Sequence, residues 1–230
     1  MKKPYNFFKD LTAFERGLWI ISIIVVSLSF LFSNGGWLEL IASLIGVTAL
    51  IFVAKGYVLG QILSVVFALF YGYISFHFKY YGELITYVFM TAPIALAAVI
   101  SWLRNPYKDT AEVTVSKITK KQVVLISLAA LAVTAVFYFI LKAFDTANLF
   151  FGTLSVTTSF LAVSFTYFRS PYYALAYSAN DIVLIILWIL ATIENISYLP
   201  MIFCFIMFLA NDLYGYFNWK RIAKRQKDEN

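Results

Sequence analysis

The stretch YYALAYSANDIVLIILWIL, Tyr172 to Leu190, is apolar enough to lie in lipid, yet Asn180 and Asp181 stand side by side in its middle. A bilayer crossing takes about 20 mostly apolar residues, and this run has that length. Polar side chains in such a span are costly and face a partner or a water-filled cavity. The surrounding chain has the same character. Of its 230 residues 62% are hydrophobic and 13% charged, and the mean hydropathy is +0.81. That balance lies outside the range of soluble domains, so the chain reads as an integral membrane protein.

Apolar runs of span length fall at 17–33, 37–54, 57–78, 81–102, 122–143, 149–168, 172–190 and 197–218. The fold class is therefore all-α, a polytopic membrane protein of eight transmembrane helices. Met1 to Arg16 is polar and basic, with no cleavable signal pattern, so the first span is expected to stay attached. Of the 18 Lys and Arg residues, only Lys79 and Lys142 fall on one side of the alternation. The other sixteen lie in the opposite loops and termini, which predicts both termini in the cytoplasm. The same scatter accounts for the formal charge of +6 without nucleic acid. The single cysteine, Cys204, and the single histidine, His77, leave no disulfide framework and no Cys/His metal cluster, and His77 sits where a span meets water.

Two segments resemble each other. SLIGVTALIFVAKGYVLGQ (43–61) matches SVTTSFLAVSFTYFRSPYYAL (155–175) in placing Ser, Thr and Phe before a basic turn, and VISWLRNP (99–106) answers GYFNWKRI (215–222). Two three-span units in the same orientation need one linking span between them. The expected organisation is an N-terminal segment and first helix (1–36), a first three-helix repeat with its polar loop (37–121), a linker helix (122–148), a second repeat (149–219) and a basic tail (220–230). Such 3+1+3 parallel repeats occur in sugar transporters of the SWEET kind, with substrate near mid-membrane between the halves.

The intramembrane polar residues mark the candidate site. In the third span Gln61, Ser64, Ala68, Tyr71 and Ser75 form one stripe at helical spacing. Tyr87 and Thr91 lie one turn apart in the fourth span, where Pro93 bends the helix, while Glu83 near the outer end reads as solvated. Tyr177, Asn180 and Asp181 share a face of the seventh span, with Trp188 two turns beyond Asp181. The last span repeats the Asn–Asp pair at Asn211 and Asp212, where a helix-packing role competes with a gating one. Stacking aromatics and pairing amides suit a flat, hydrogen-bonding ring. No HExxH, P-loop or GxSxG pattern is present, so the chain does not read as an enzyme.

The segments GQILSVVFALFYGYISFHFKYYGELITY (60–87), TAPIALAAVISWLR (91–104), SPYYALAYSANDIVLIILW (170–188) and LANDLYGYFNW (209–219) resemble the PnuC family of nicotinamide riboside transporters. The resemblance implies a SWEET-like fold, a homotrimer in a bacterial plasma membrane, and facilitated diffusion of the riboside for NAD synthesis. Cytosolic phosphorylation would then trap the product, and no cofactor would be needed. The family's pocket positions fall here on Gln61, Tyr71, Tyr177, Asn180 and Asp181. Tyr87, Thr91, Trp188 and Asn211 complete the candidate set from their placement in the spans. Where many relatives carry a W-x-x-W pattern before the acid, this chain has Ala174 and Tyr177. That departure keeps thiamine, another flat cation, as the alternative cargo.

Overall fold

In a computed structural model, which describes residues 10–33, 36–77 and 81–229, eight helices are long and apolar enough to cross a membrane. They are α1 (Ala13–Ser33), α2 (Trp37–Ala54), α3 (Val58–His77), α4 (Tyr81–Leu103), α5 (Lys120–Ala143), α6 (Leu149–Tyr167), α7 (Tyr172–Glu194) and α8 (Leu199–Asp228). All eight expected spans are present, with ends moved by a few residues except at α8. That helix continues ten residues past 218, so the basic segment after the last span is helical. It is held by Gln226, which donates to the Val113 carbonyl and accepts from the Val115 amide. An ion pair of Arg225 with Glu112 adds to this hold. Burial pushes the Glu112 carboxyl up, and the Arg225 charge works against that. Lys2, Lys3, Lys9 and Lys79 lie outside the described residues.

Local chemistry explains the element boundaries. Thr119 and Gln122 close a reciprocal capping box that starts α5. Within α4, Thr86–Thr91 is a π-helix, and the Ala92 amide reaches back to the Tyr87 carbonyl. Pro93 has no N–H and its ring crowds the carbonyl one turn earlier, so widening the preceding turn accommodates it without a break. The widened turn aims Tyr87 and Thr91 inward, where both are buried.

The first-half helices α2, α3 and α4 pack on one another in sequence, as do α6, α7 and α8, and α2 meets α8 while α4 meets α6. At the basic end these contacts correspond bond for bond. After α2 the chain turns at Gly56 (φ 72°), with the Gly56 amide on the Val53 carbonyl and the Tyr57 amide on the Phe52 carbonyl. After α6 it turns at Arg169 (φ 55°), with the Arg169 amide on Thr166 and the Ser170 amide on Phe165. Both are the left-handed helix stop known as the Schellman motif. Trp219 Nε1 donates to the Val53 carbonyl at 2.8 Å and Asn218 Nδ2 to the Ala54 carbonyl at 2.9 Å. In the other half Trp102 Nε1 donates to the Thr166 carbonyl at 2.9 Å and Ser101 Oγ to the Tyr167 carbonyl at 2.9 Å. The two indoles, fully buried, meet with centroids 5.3 Å apart.

Helices α1 and α5 stand outside this arrangement. Glu15 at the start of α1 is 1% exposed and holds Lys55 at 3.2 Å and the Tyr214 hydroxyl at 2.7 Å, tying α1 to both halves. Leu125, Leu128, Leu131 and Phe139 of α5 are exposed, as a surface facing lipid requires.

Candidate functional site

Between the halves lies an enclosed cavity of about 60 Å³. Gln61, Ser64, Phe67 and Ala68 of α3 and Tyr87, Thr91 and Ala95 of α4 line it from the first half. From the second half come Tyr177, Asn180 and Asp181 of α7, with Phe205, Phe208 and Asp212 of α8. Filled ligand sites measure about 300–1,000 Å³, so the walls are drawn together here. The rings that fill the centre are Phe67, Tyr71, Tyr87, Phe205 and Phe208, with Tyr71 and Tyr87 centroids 4.4 Å apart.

Asn180, 3% exposed, is oriented by α6: its Oδ1 accepts from Thr158 at 2.8 Å and Ser159 at 2.9 Å. That leaves its amide nitrogen to donate into the cavity. Gln61, also 3% exposed, brings a side-chain donor and acceptor to the cavity wall. Asp181 and Asp212 line the same cavity, and Asp181 Oδ2 has no hydrogen-bond partner among the described residues. No Lys, Arg or His among the described residues lines the cavity. Buried carboxylates without a cation are costly, so the arrangement takes up either a proton or a positively charged guest. It also offers amides for hydrogen bonds and Tyr177 and Tyr87 for stacking.

Six of the nine candidate residues thus line one cavity: Gln61, Tyr87, Thr91, Tyr177, Asn180 and Asp181. Tyr71 and Trp188 do not. They line a second cavity of about 270 Å³ toward the far end, with Glu39 and Tyr198. Seven residues along a helix are two turns, about 10 Å of depth, so a shared face put Trp188 on the right side but at the wrong level. Asn211 lines neither cavity; its Nδ2 donates to Ser22 Oγ at 3.0 Å and to the Met207 carbonyl at 2.7 Å, binding α8 to α1. Its neighbour Asp212 takes the cavity position instead. The signal for it is the 3-4 spacing of Phe205, Phe208 and Asp212, one face of α8. Glu83 is 5% exposed rather than solvated, because the loop between α5 and α6 covers it. Of the two departures from the W-x-x-W pattern, Ala174 is fully buried in the Trp102, Trp219 and Tyr173 cluster at the basic end, while Tyr177 lines the cavity itself.

Eight membrane-spanning helices with a polar-lined cavity drawn narrow between two sets of three are an architecture suited to a membrane transporter. The family model described as nicotinamide mononucleotide transporter matches residues 36–221, and the chain belongs to this family. It is similar to a protein named nicotinamide riboside transporter PnuC from Neisseria mucosa, at 25% identity over 224 residues, 95% of this chain and 85% of that one. A protein of the same name from Haemophilus influenzae is 23% identical over 212 residues, 90% of each chain. A structure titled crystal structure of the vitamin B3 transporter PnuC superposes with a TM-score of 0.82 at 25% identity, covering 94% of both chains.

Proposed function

We propose that the chain carries nicotinamide riboside across a bacterial plasma membrane by facilitated diffusion, with both termini cytoplasmic and the product trapped inside by phosphorylation. One observation carries the choice of cargo: Asp181 and Asp212 line one cavity, and no basic side chain among the described residues lines it with them. The riboside bears a cationic ring and no phosphate, so one carboxylate offsets its charge while Asn180 and Gln61 take its carboxamide or hydroxyls. The mononucleotide adds a phosphate, which two carboxyls in a low-dielectric cavity repel. Site residues on this reading are Gln61, Tyr87, Thr91, Tyr177, Asn180, Asp181 and Asp212. Tyr71 and Trp188 guard the far side, and Asn211 holds α1 in place.

The matched Schellman turns and tryptophan bonds support the 3+1+3 repeat. The homotrimer implied by the family resemblance belongs to the same reading, and native mass measurement in nanodiscs tests it. For the cargo, labelled riboside is offered to proteoliposomes. Saturable uptake that falls in Asp181→Asn and Asp212→Asn, with unlabelled mononucleotide unable to compete, is the expected result. Uptake of thiamine but not riboside replaces the cargo, and normal riboside uptake in both variants removes the site.

A further inference from the structure

A second buried carboxylate, outside the central cavity, has no counter-charge among the described residues. Glu83 in the first turn of α4 is 5% exposed, and its Oε2 has no hydrogen-bond partner among the described residues. The Ser155 hydroxyl lies against this carboxyl but already donates to the Gly152 carbonyl at 2.9 Å. Glu83 faces a small cavity of about 20 Å³ whose wall includes Thr146, Asn148 and Glu194. The Thr146 hydroxyl is likewise without a partner there. Gly82 and Gly152 form part of the same wall, and a Cβ at Gly82 would come within 2.8 Å of Leu141 and 3.0 Å of Thr146. No basic residue among the described ones lines it.

The geometry points to a sodium site. The buried, unpartnered oxygens of Glu83 and Thr146 stand on a wall shared with Glu194 and Asn148, both exposed at its rim, and carboxylate, hydroxyl and amide oxygens are the donors that hard cations take. About 10–15 Å³ is enough for one water-sized occupant, so the cavity holds one small ion and nothing larger. Among the described residues no cluster of three or more acidic, His or Cys groups suits a divalent metal, which leaves a monovalent charge. The ligands come from α4 in the first half, α7 in the second and the loop that follows the linker helix α5, so an occupied site pins the two halves together at the far end. Tyr87 of the central cavity lies one turn below Glu83 on the same helix.

The inference stands apart from the choice of cargo, and its test uses no vitamin. The purified full-length protein is melted in sodium, potassium and N-methylglucamine chloride at equal ionic strength and at several pH values. Saturable stabilisation by sodium alone is expected, a rise of about 3–6 °C at tenfold or greater excess over Kd. Glu83→Gln should abolish the response, and Thr146→Val should weaken it; if Glu83→Gln does not fold, Thr146→Val and Glu194→Gln carry the test. Equal effects of sodium and potassium, an unchanged response in the variants, or a melting point that follows pH and ignores sodium overturns the assignment. The last of these outcomes makes the occupant of Glu83 a proton.

Discussion

The two halves close on each other with the same bonds but line the cavity with different chemistry. Val53 and Thr166, the carbonyls that receive Trp219 and Trp102, are 113 positions apart, and the two tryptophans are 117 apart. Carried up the helices, these offsets set Ala68 against Asp181, Phe67 against Asn180, Ser64 against Tyr177 and Ala95 against Asp212, and all eight residues line the cavity. The first half thus offers an apolar or small residue where the second offers an acid, an amide or a phenol. The common bonds land on main-chain carbonyls at helix ends, which cannot move without unwinding a turn. Side chains at the lining positions carry no such duty. Symmetry is kept where the backbone is the partner and lost where the guest is.

Substitutions at paired positions sharpen or break this comparison. The largest effect belongs to the scaffold. Trp102→Ala and Trp219→Ala should each cost about 3–5 kcal/mol, and the two losses should agree within about 1 kcal/mol, since each indole makes the same bond in the same cluster. Denaturation that falls in only one of them breaks the equivalence. Next come the lining pairs. Asp212→Asn should lower riboside uptake about tenfold or more, the equivalent of one lost charge interaction, whereas Ala95→Ser at the matching position should change it about twofold at most. Equal losses at both would mean the asymmetry carries no selectivity.

The two turns give a smaller contrast. Gly56→Ala should cost about 1 kcal/mol, because φ 72° suits glycine alone. Arg169 bears the same strain at φ 55° but holds the Thr114 carbonyl at 3.1 Å and Ser101 Oγ at 2.9 Å with its guanidinium. Arg169→Ala should therefore cost about 1–2 kcal/mol through those bonds, with the strain left in place. Arg169→Gly, which relieves the strain, should recover part of that loss. The smallest effect is expected at Asn211. Its loss to Ala should loosen α1 by about 1 kcal/mol while riboside uptake per folded protein is preserved, in contrast to Asn180→Ala.

Hydropathy alone placed all eight spans, because a bilayer imposes a length and excludes unpaired backbone. The likeness between the two halves read from the sequence lay in their Trp and basic-turn residues, and in the structure those residues bond the backbone in matching ways. Helical spacing also brought six candidate residues to one cavity. It failed on depth and on roll. Spacing gives the face of Tyr71 and Trp188 but not their level along the membrane normal. Asn211 and Asp212 differ by about 100° around α8, and only the packing of α8 on α1 decides which of them turns inward. The burial of Glu83 depends on the loop from Asp145 to Asn148, a contact far away in sequence. No pattern around residue 83 encodes it.

The central claim is that Asp181 and Asp212 select a cationic, phosphate-free guest. Calorimetric titration of the purified protein with nicotinamide riboside and with nicotinamide mononucleotide, in parallel on the native chain and the Asp181→Asn/Asp212→Asn double variant, tests it most directly. The native chain should bind the riboside and not the mononucleotide, and the double variant should lose about tenfold or more in riboside affinity. Mononucleotide binding as tight as the riboside's, or riboside affinity unchanged without the two carboxylates, would contradict it.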